Sequence, residues 1–547
     1  MPSFLRVAKI AGQGTGGKTS LLVRLLLLPA SSGILLFLAS PSTLSLAWLA
    51  WLALIPLLFA LTDARPGHGF FSGLAFGLVY YLLLLNWIIH ALSIHGQVPW
   101  LFSAVALLGL SLYMGLYPAF FGLLLCRLRP KISPLFLAPV AWVALDGLRA
   151  FLFTGFPWLD LAYTQYRSPL PIQVADLTGH YGVTFLIVLV NVLLLAGAGM
   201  GAGKKLFPCP GKMVLAAVLT IIAAFSYSGW RFLDVEKKLA GAETAGVAII
   251  QGNIPQDEKW QAMLLRQSVA TYIKLSAGAV DQGKTDLVIW PETAFPYFPA
   301  EHPIFQEVVE NLLEPHGVFL LSGAPHREPD QGGRGMRYFN SAFLFAPGGT
   351  IVGRYDKQHL VPFGEYIPFR KLFSFASPLV ETLGDFTPGQ SHAPLPGLNN
   401  RIGVLICFES IFPELSRKMA ANGATILANL TNDAWFGKSN APWQHLSMSV
   451  LRAVETRRSL ARAANTGFSC FIDPLGRISG QTGLFETRSL TARLPLFSET
   501  TFYVKYGHLF LLSCLLVLLG EILRNQVFFR QGLEKSRQNE NIDDQEH

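Results

Sequence analysis

Seven runs of apolar residues, each near the roughly 20 that cross a bilayer, decide what this chain can fold into. They are Leu44 to Leu61, Phe70 to Leu92, Trp100 to Cys126, Pro134 to Phe153, Tyr181 to Met200, Met213 to Trp230 and His508 to Leu523, and a shorter run, Leu25 to Ser40, precedes them. The stretch from Arg231 to Gly507 contains none of them. Such a layout describes a helical bundle in lipid that carries one long segment with a core of its own. With 51% hydrophobic residues, 14% charged residues and a mean hydropathy of +0.40, the chain is too apolar for an ordinary soluble enzyme.

Leu25 to Ser40 has two readings. Arg6, Lys9, Lys18 and Arg24 ahead of a short apolar core and Ala39 fit a cleaved signal sequence. Retention as a helix is favoured, because the positive-inside rule then holds for about eight helices. Arg65, then Arg127, Arg129 and Lys131, then Lys204, Lys205 and Lys212, and finally Arg524, Arg530, Lys535 and Arg537 fall on the side of the basic N-terminus. The short loops Pro41 to Thr43 and Ser93 to Pro99 carry no Lys or Arg. Residues 1–231 therefore read as a membrane region of about seven helices, 243–498 as an extracytoplasmic domain, 507–525 as a last membrane helix and 526–547 as a polar, disordered cytoplasmic tail. Both termini are expected in the cytoplasm.

The net charge of +8 would suggest nucleic acid in a soluble chain, but here the basic residues gather in loops facing anionic headgroups. No nucleic-acid partner is expected. Cys407 and Cys470 fall in the outer segment and could pair in an oxidising compartment; both are expected to be free thiols. Gly12 to Thr19, GQGTGGKT, matches the pattern GxxxxGK[ST], yet a membrane run follows it and no parallel sheet can be built around it. It reads as a flexible basic tail. The histidines form no HxH, HExxH or Cys-His cluster, and GxSxG is absent, so neither a metal nor a cofactor is expected.

Within the outer segment, short β-rich runs alternate with amphipathic ones, the pattern of a layered α/β domain. The expected strands are Gly246 to Gln251, Asp286 to Trp290, Val318 to Ser322, Ser341 to Phe345, Arg401 to Cys407, Thr425 to Leu430 and Ser469 to Ile472. Expected helices are Leu264 to Ala279, Pro303 to Leu313, Pro413 to Asn422 and Gln444 to Ala464.

Glu292 in LVIWPETAFP, Lys357 in GRYDKQHLVPFGE and Cys407 in RIGVLICFES each stand at or just past a strand-like run. Singly, they read as a loop acid, a solvated charge and a small buried hydrophobe. Jointly, they supply what a thiol of ordinary pKa near 8.5 needs to become a nucleophile, a base and a cation. Open α/β sheets gather reactive groups at strand ends.

WPE, YDKxHLVPFGEYIP, ICFE and NLTNDAWFG with a following QH together resemble the carbon-nitrogen hydrolase (nitrilase) superfamily. With membrane helices on both sides, the resemblance narrows to the apolipoprotein N-acyltransferase family and spans essentially the whole chain. It implies an α/β fold, a four-layer αββα sandwich on an all-α bundle of about eight transmembrane helices. It implies Glu292 as general base and acid, Lys357 as electrostatic stabiliser and Cys407 as nucleophile. Glu365 and Glu409 resemble acids that orient the lysine, and Asn340, Asn432, Trp435 and Phe436 resemble residues of the pocket or its loops. Phe408 departs from the family's usual Tyr, losing a hydroxyl while keeping the peptide N–H as an oxyanion donor.

The family's reaction takes an acyl chain from a membrane phospholipid, through a thioester, to the α-amino group of a lipoprotein's N-terminal diacylglyceryl-cysteine. The expected partners are thus a phospholipid donor, a lipoprotein acceptor and the bilayer of the inner membrane, with the protein as a monomer. Leu360-Val361-Pro362-Phe363, Tyr366-Ile367-Pro368-Phe369 and Leu372-Phe373-Ser374-Phe375 are apolar enough for a lid dipping into the membrane; packing against the domain is the alternative. A membrane-tethered amidase or nitrilase would share the triad, but needs no multi-helix platform. A transporter would need charges at depth, for which Asp146 and Arg149 are the clear candidates.

Overall fold

The computed structural model describes residues 21–128, 134–201, 209–255, 262–281, 284–299, 301–330, 335–367, 385–397 and 400–543. The GQGTGGKT segment, the basic residues Arg129, Lys131, Lys204 and Lys205, and the apolar string beyond Ile367 lie outside them. Of that string, Leu360 and Ile367 are buried.

Among the described residues, six helices are long and apolar enough to cross a membrane: Pro66–Leu84, Trp100–Arg127, Pro134–Phe151, His180–Gly199, Gly211–Ala240 and Leu509–Val527. The other two expected spans are shorter, Val23–Ala39 and Ala47–Leu61, so the described residues hold six such helices where about eight were expected. The second of these breaks internally. A tight turn over Ala47–Trp51 ends before the helix resumes at Ile55–Leu61 with a proline in its first turn. Backbone groups freed in lipid must find partners. Asn191 supplies two of them, donating to Ala50 O at 3.0 Å and accepting from Leu54 N at 2.9 Å, and Ser32 Oγ accepts from Leu57 N at 2.8 Å.

Pro66–Leu84 and Trp100–Arg127 touch backbone to backbone. Gly69, Gly73 and Gly77 repeat every four residues and so share one helix face. A methyl on Gly73 would stand 1.9 Å from Pro118 O, one on Gly69 2.4 Å from Gly122 O, and one on Gly77 2.7 Å from Gly115 Cα. In lipid, where burying apolar surface adds no drive, this close fit is what holds two helices together. At the other end of the chain the polar tail, expected to be disordered, continues the last helix to Asp543; Gln, Leu, Glu, Lys and Arg there are all good helix formers.

Among the described residues between these helices lie twelve strands: β1 Thr244–Gln251, β2 Leu287–Ile289, β3 Phe319–Pro329, β4 Met336–Phe345, β5 Ile351–Asp356, β6 Leu395–Gly397, β7 Asn400–Ile406, β8 Ile426–Thr431, β9 Ser459–Ala464, β10 Cys470–Ile472, β11 Ile478–Ser479 and β12 Arg488–Pro495. They form two six-stranded sheets, ordered β12-β1-β2-β3-β4-β5 and β11-β10-β9-β8-β7-β6. Each has a parallel centre, β1-β2-β3 and β7-β8-β9, with antiparallel strands outside it.

Strand periodicity sets the layers. Val247 and Ile249 of β1 enter the core shared with Val404 and Ile406 of β7, whereas Ala248 and Ile250 pack with Val269 and Tyr272 of the helix Ala262–Val280. The helices Pro413–Ala421 and Ala441–Thr456 lie against the second sheet, which completes the expected four-layer αββα sandwich.

One expected element divides. The run Gln444 to Ala464 is a helix only to Thr456; Arg457 turns left-handed at φ +52, and β9 follows. Periodicity alone favoured one helix, but pairing with β8 wins from Ser459 onward.

The helix Ala441–Thr456 is buried on nearly every side because the segment between Phe151 and His180 covers it. Trp158 Nε1 donates to Gln444 Oε1 at 2.7 Å, Arg452 Nη2 to Tyr163 OH at 3.1 Å, and Arg457 Nη2 to Asp176 Oδ2 at 2.9 Å. His180 bridges Asp160 at 2.7 Å and Glu455 at 3.1 Å. Asp146 and Arg149 pair at 3.2 Å, and Arg149 also pairs with Asp160. The two intramembrane charges thus belong to the seat of the outer segment.

Candidate active site

Glu292 follows β2, in a loop that crosses directly over β3. Gly323 makes the crossing possible: a Cβ there would lie 2.5 Å from Thr293 N, 2.6 Å from Pro291 O and 2.7 Å from Glu292 Cα. Lys357 follows β5, its amide donating to Asn340 O at 2.8 Å and its carbonyl accepting from Gly389 N at 2.8 Å. The lysine is 1% exposed. Its Nζ donates to Glu365 Oε1 at 2.9 Å and to Glu292 Oε1 at 3.3 Å. Asn340 on β4 donates to the same two oxygens, at 2.7 and 2.8 Å. Glu365 is held by its own turn, its Oε2 accepting from Val361 N at 2.8 Å. Burial alone would drive the Lys357 proton off, yet the facing carboxylates of Glu365 and Glu292 outweigh it and hold the ammonium well above its ordinary range.

The second sheet brings the thiol. Cys407 stands at the end of β7 with φ +50 and opens the tight turn Cys407–Ile411. A left-handed conformation costs a non-glycine residue on the order of 1–3 kcal/mol, and it persists only where the surroundings impose it. Glu409 does so from one side: its Oε2 accepts from Ile406 N at 2.7 Å, and its Oε1 accepts from Gln358 N at 2.6 Å and Tyr355 OH at 2.9 Å. One buried carboxylate therefore ties the turn after Lys357 to the turn of Cys407, and it does so through backbone and a tyrosine. Burial pushes Glu409 up to about 7, against the pull of those amides.

The Cys407 thiol feels both charges of the other sheet. Burial first, then the Glu292 carboxylate, push it up to about 12, while Lys357 pulls it back. A thiol so raised keeps its proton, and its use as a nucleophile would need a base to take that proton. A buried thiol beside an acid and a permanent cation can attack a carbonyl carbon and support the oxyanion that results.

The remaining candidates divide. Asn432 Oδ1 accepts from Asn465 Nδ2 at 3.1 Å. Trp435 and Phe436 turn toward the membrane helices: Trp435 meets His95 at 5.0 Å between ring centroids, and Phe436 meets Trp87 at 4.9 Å and Trp158 at 5.9 Å. Phe408 lies against Phe412 at 5.2 Å and Phe156 at 6.4 Å. Sequence reasoning missed a buried group behind the thiol, formed by Asp433, His445 and Arg462. Arg462 Nη2 donates to Asp433 Oδ2 at 2.8 Å, and His445 Nδ1 lies 2.9 Å from Asp433 Oδ1. Two of the three, Asp433 and His445, stand in the motifs NLTND and QH, but nothing in that spacing says that they meet beneath Cys407. Cys407 and Cys470 are free thiols.

A model of the apolipoprotein N-acyltransferase N-terminal domain matches residues 32–193, and one of carbon-nitrogen hydrolase matches residues 246–500. The chain is 43% identical over 489 residues to an apolipoprotein N-acyltransferase of Geobacter metallireducens, covering 89% of this chain and 92% of that one. It is 33% identical over 507 residues to one of Methylococcus capsulatus, covering 89% and 93%. Among solved structures, a carbon-nitrogen hydrolase from Helicobacter pylori aligns with 46% of this chain and 89% of its own at 19% identity and a TM-score of 0.35. By sequence match along nearly its whole length, the chain belongs to the apolipoprotein N-acyltransferase family.

Proposed function

We propose that this membrane protein transfers an acyl chain from a phospholipid to the α-amino group of a lipoprotein's N-terminal diacylglyceryl-cysteine, through a thioester on Cys407. Glu292 takes the thiol proton and Cys407 attacks the ester carbonyl. Lys357 and the Phe408 N–H hold the negative oxygen. The tetrahedral adduct collapses, the lysophospholipid alcohol leaves with the proton from Glu292, and the thioester remains. The lipoprotein amine then attacks that thioester and gives a proton to Glu292, the C–S bond breaks, and Glu292 returns the proton to the Cys407 sulfur as the amide leaves. Water would hydrolyse the thioester, so the site must exclude it.

The observation that carries this reading is a fully buried Lys357 held between Glu292 and Glu365 and close enough to Cys407 for each to alter the other's charge. The distribution of Lys and Arg supports residues 243–498 as a periplasmic catalytic domain, with 1–231 and 507–525 in the inner membrane and both termini cytoplasmic. We place the protein there as a monomer, Leu25 to Ser40 retained.

Incubation of the purified protein with a phospholipid labelled in its acyl chain tests the proposal. Intact mass is expected to gain one acyl group, and Cys407→Ser to gain none while remaining folded in the membrane. The same adduct in Cys407→Ser, or none in the unaltered protein, rejects it.

A further inference from the structure

The turn that carries Cys407 is pinned from a second side, by a group to which the proposed reaction gives no role. Cys407 O accepts from Ser410 Oγ at 3.1 Å and lies 3.1 Å from His445 Nε2, which is itself 2.8 Å from Ser410 Oγ. The serine spends its hydrogen on that carbonyl, and a carbonyl can only accept. Nε2 must therefore carry a hydrogen of its own to face both. On the opposite edge of the ring Nδ1, left without a hydrogen, accepts from Arg462 Nη2 at 3.0 Å, and Arg462 is itself held by Asp433. His445, Asp433 and Arg462 are each at most 1% exposed. Trp158 stacks on the imidazole at 6.2 Å between centroids, so the ring has little freedom to turn.

The Cys407 carbonyl and the Phe408 N–H belong to one peptide unit, which is planar and in its trans form places the two on opposite edges. No cis peptide is found among the described residues. A hydrogen bond that fixes the carbonyl fixes the direction of the N–H. It also draws electron density toward the carbonyl oxygen and strengthens the N–H as a donor. Glu409 holds the amide on one side of the strained Cys407, and His445 holds the carbonyl on the other.

Resting on the reading of Cys407 as the acyl-carrying nucleophile, we infer that His445, backed by Asp433 and Arg462, is a positioning residue that aims the Phe408 N–H at the oxyanion formed in both acyl-transfer steps. His445 itself touches neither substrate nor sulfur. A histidine present only to fill the core would need none of these polar contacts, and its loss would loosen the turn for any chemistry at the sulfur.

Two reactions of Cys407 in the purified full-length protein separate these cases: acylation by the labelled phospholipid, which passes through an oxyanion, and alkylation by iodoacetamide, which does not. Gln can place an amide N–H near the position of Nε2, while the shorter Asn cannot, and the two match in polarity. His445→Gln is expected to keep acylation within about 5-fold of the unaltered protein, and His445→Asn to lower it about 100-fold, the low end of the range for losing one oxyanion donor. Alkylation is expected to stay within about 3-fold in both. Equal acylation by the two variants, or acylation and alkylation falling together, overturns the inference. An unaltered protein that forms no adduct instead rejects the nucleophile itself.

Discussion

The two sheets each supply half of the candidate site and hold their halves by different means. The first positions Glu292, Lys357 and Glu365 by charge: one ammonium, two carboxylates and the Asn340 amide meet on two oxygens. The second positions Cys407 by backbone, a left-handed residue pinned through the amide of Ile406 and its own carbonyl. The contrast follows from chemistry. Buried ions have to be paired to be tolerated, and the pairing fixes them; a neutral thiol offers little to grip, so its direction has to be imposed by the chain.

The charged half should break hardest. Lys357→Ala leaves the buried Glu292 and Glu365 facing one another without the cation they share. Acyl-enzyme formation is expected to fall on the order of 1000-fold, with a loss of about 3–5 kcal/mol in stability from the unpaired charge. Rates near the unaltered value would mean that the lysine supports only the fold.

Glu409 joins the halves and offers a pH test. Its ordinary value is 4.5, and the fold raises it to about 7, so between those values the folded protein binds more protons than the unfolded chain. Stability from this group therefore falls as pH rises through that window and levels off above about 7, a change on the order of 3 kcal/mol at 1.36 kcal/mol per unit. In Glu409→Gln the thermal midpoint in detergent is expected to lose this part of its decline between about pH 5 and 8. An identical pH profile in the variant would contradict the buried carboxylate.

The smallest effect should come from Gly323→Ala, which adds a methyl against the backbone that carries Glu292. Overpacking of this kind costs about 1–3 kcal/mol, and acylation should slow about 10-fold while iodoacetamide alkylation of Cys407 is unchanged. Equal loss of both would show that the first sheet also sets the thiol.

Much of the sandwich was legible in the chain because its central strands are buried on both faces and read as continuous apolar runs, as in Leu287–Ile289 and residues 402–406. The edge strands Ile351–Asp356 and Arg488–Pro495, half exposed and mixed in polarity, gave no such run. β9 was hidden inside a longer helical pattern. The membrane run Leu44 to Leu61 was apolar enough to read as one span, but its break depends on Asn191, more than 100 residues away, accepting the freed amide.

The order of acid, amine and thiol along the chain, each after a strand, needed only local chemistry: apolar runs that must pair, then a polar residue where pairing stops. Which oxygen meets which nitrogen, the left-handed turn of Cys407 and the imidazole behind its carbonyl were settled by tertiary structure alone. They depend on contacts between elements 12 to more than 60 residues apart, which no pattern within a single strand or helix records. They also depend on the absence of water, which leaves each buried polar group to be satisfied by whatever the fold sets beside it.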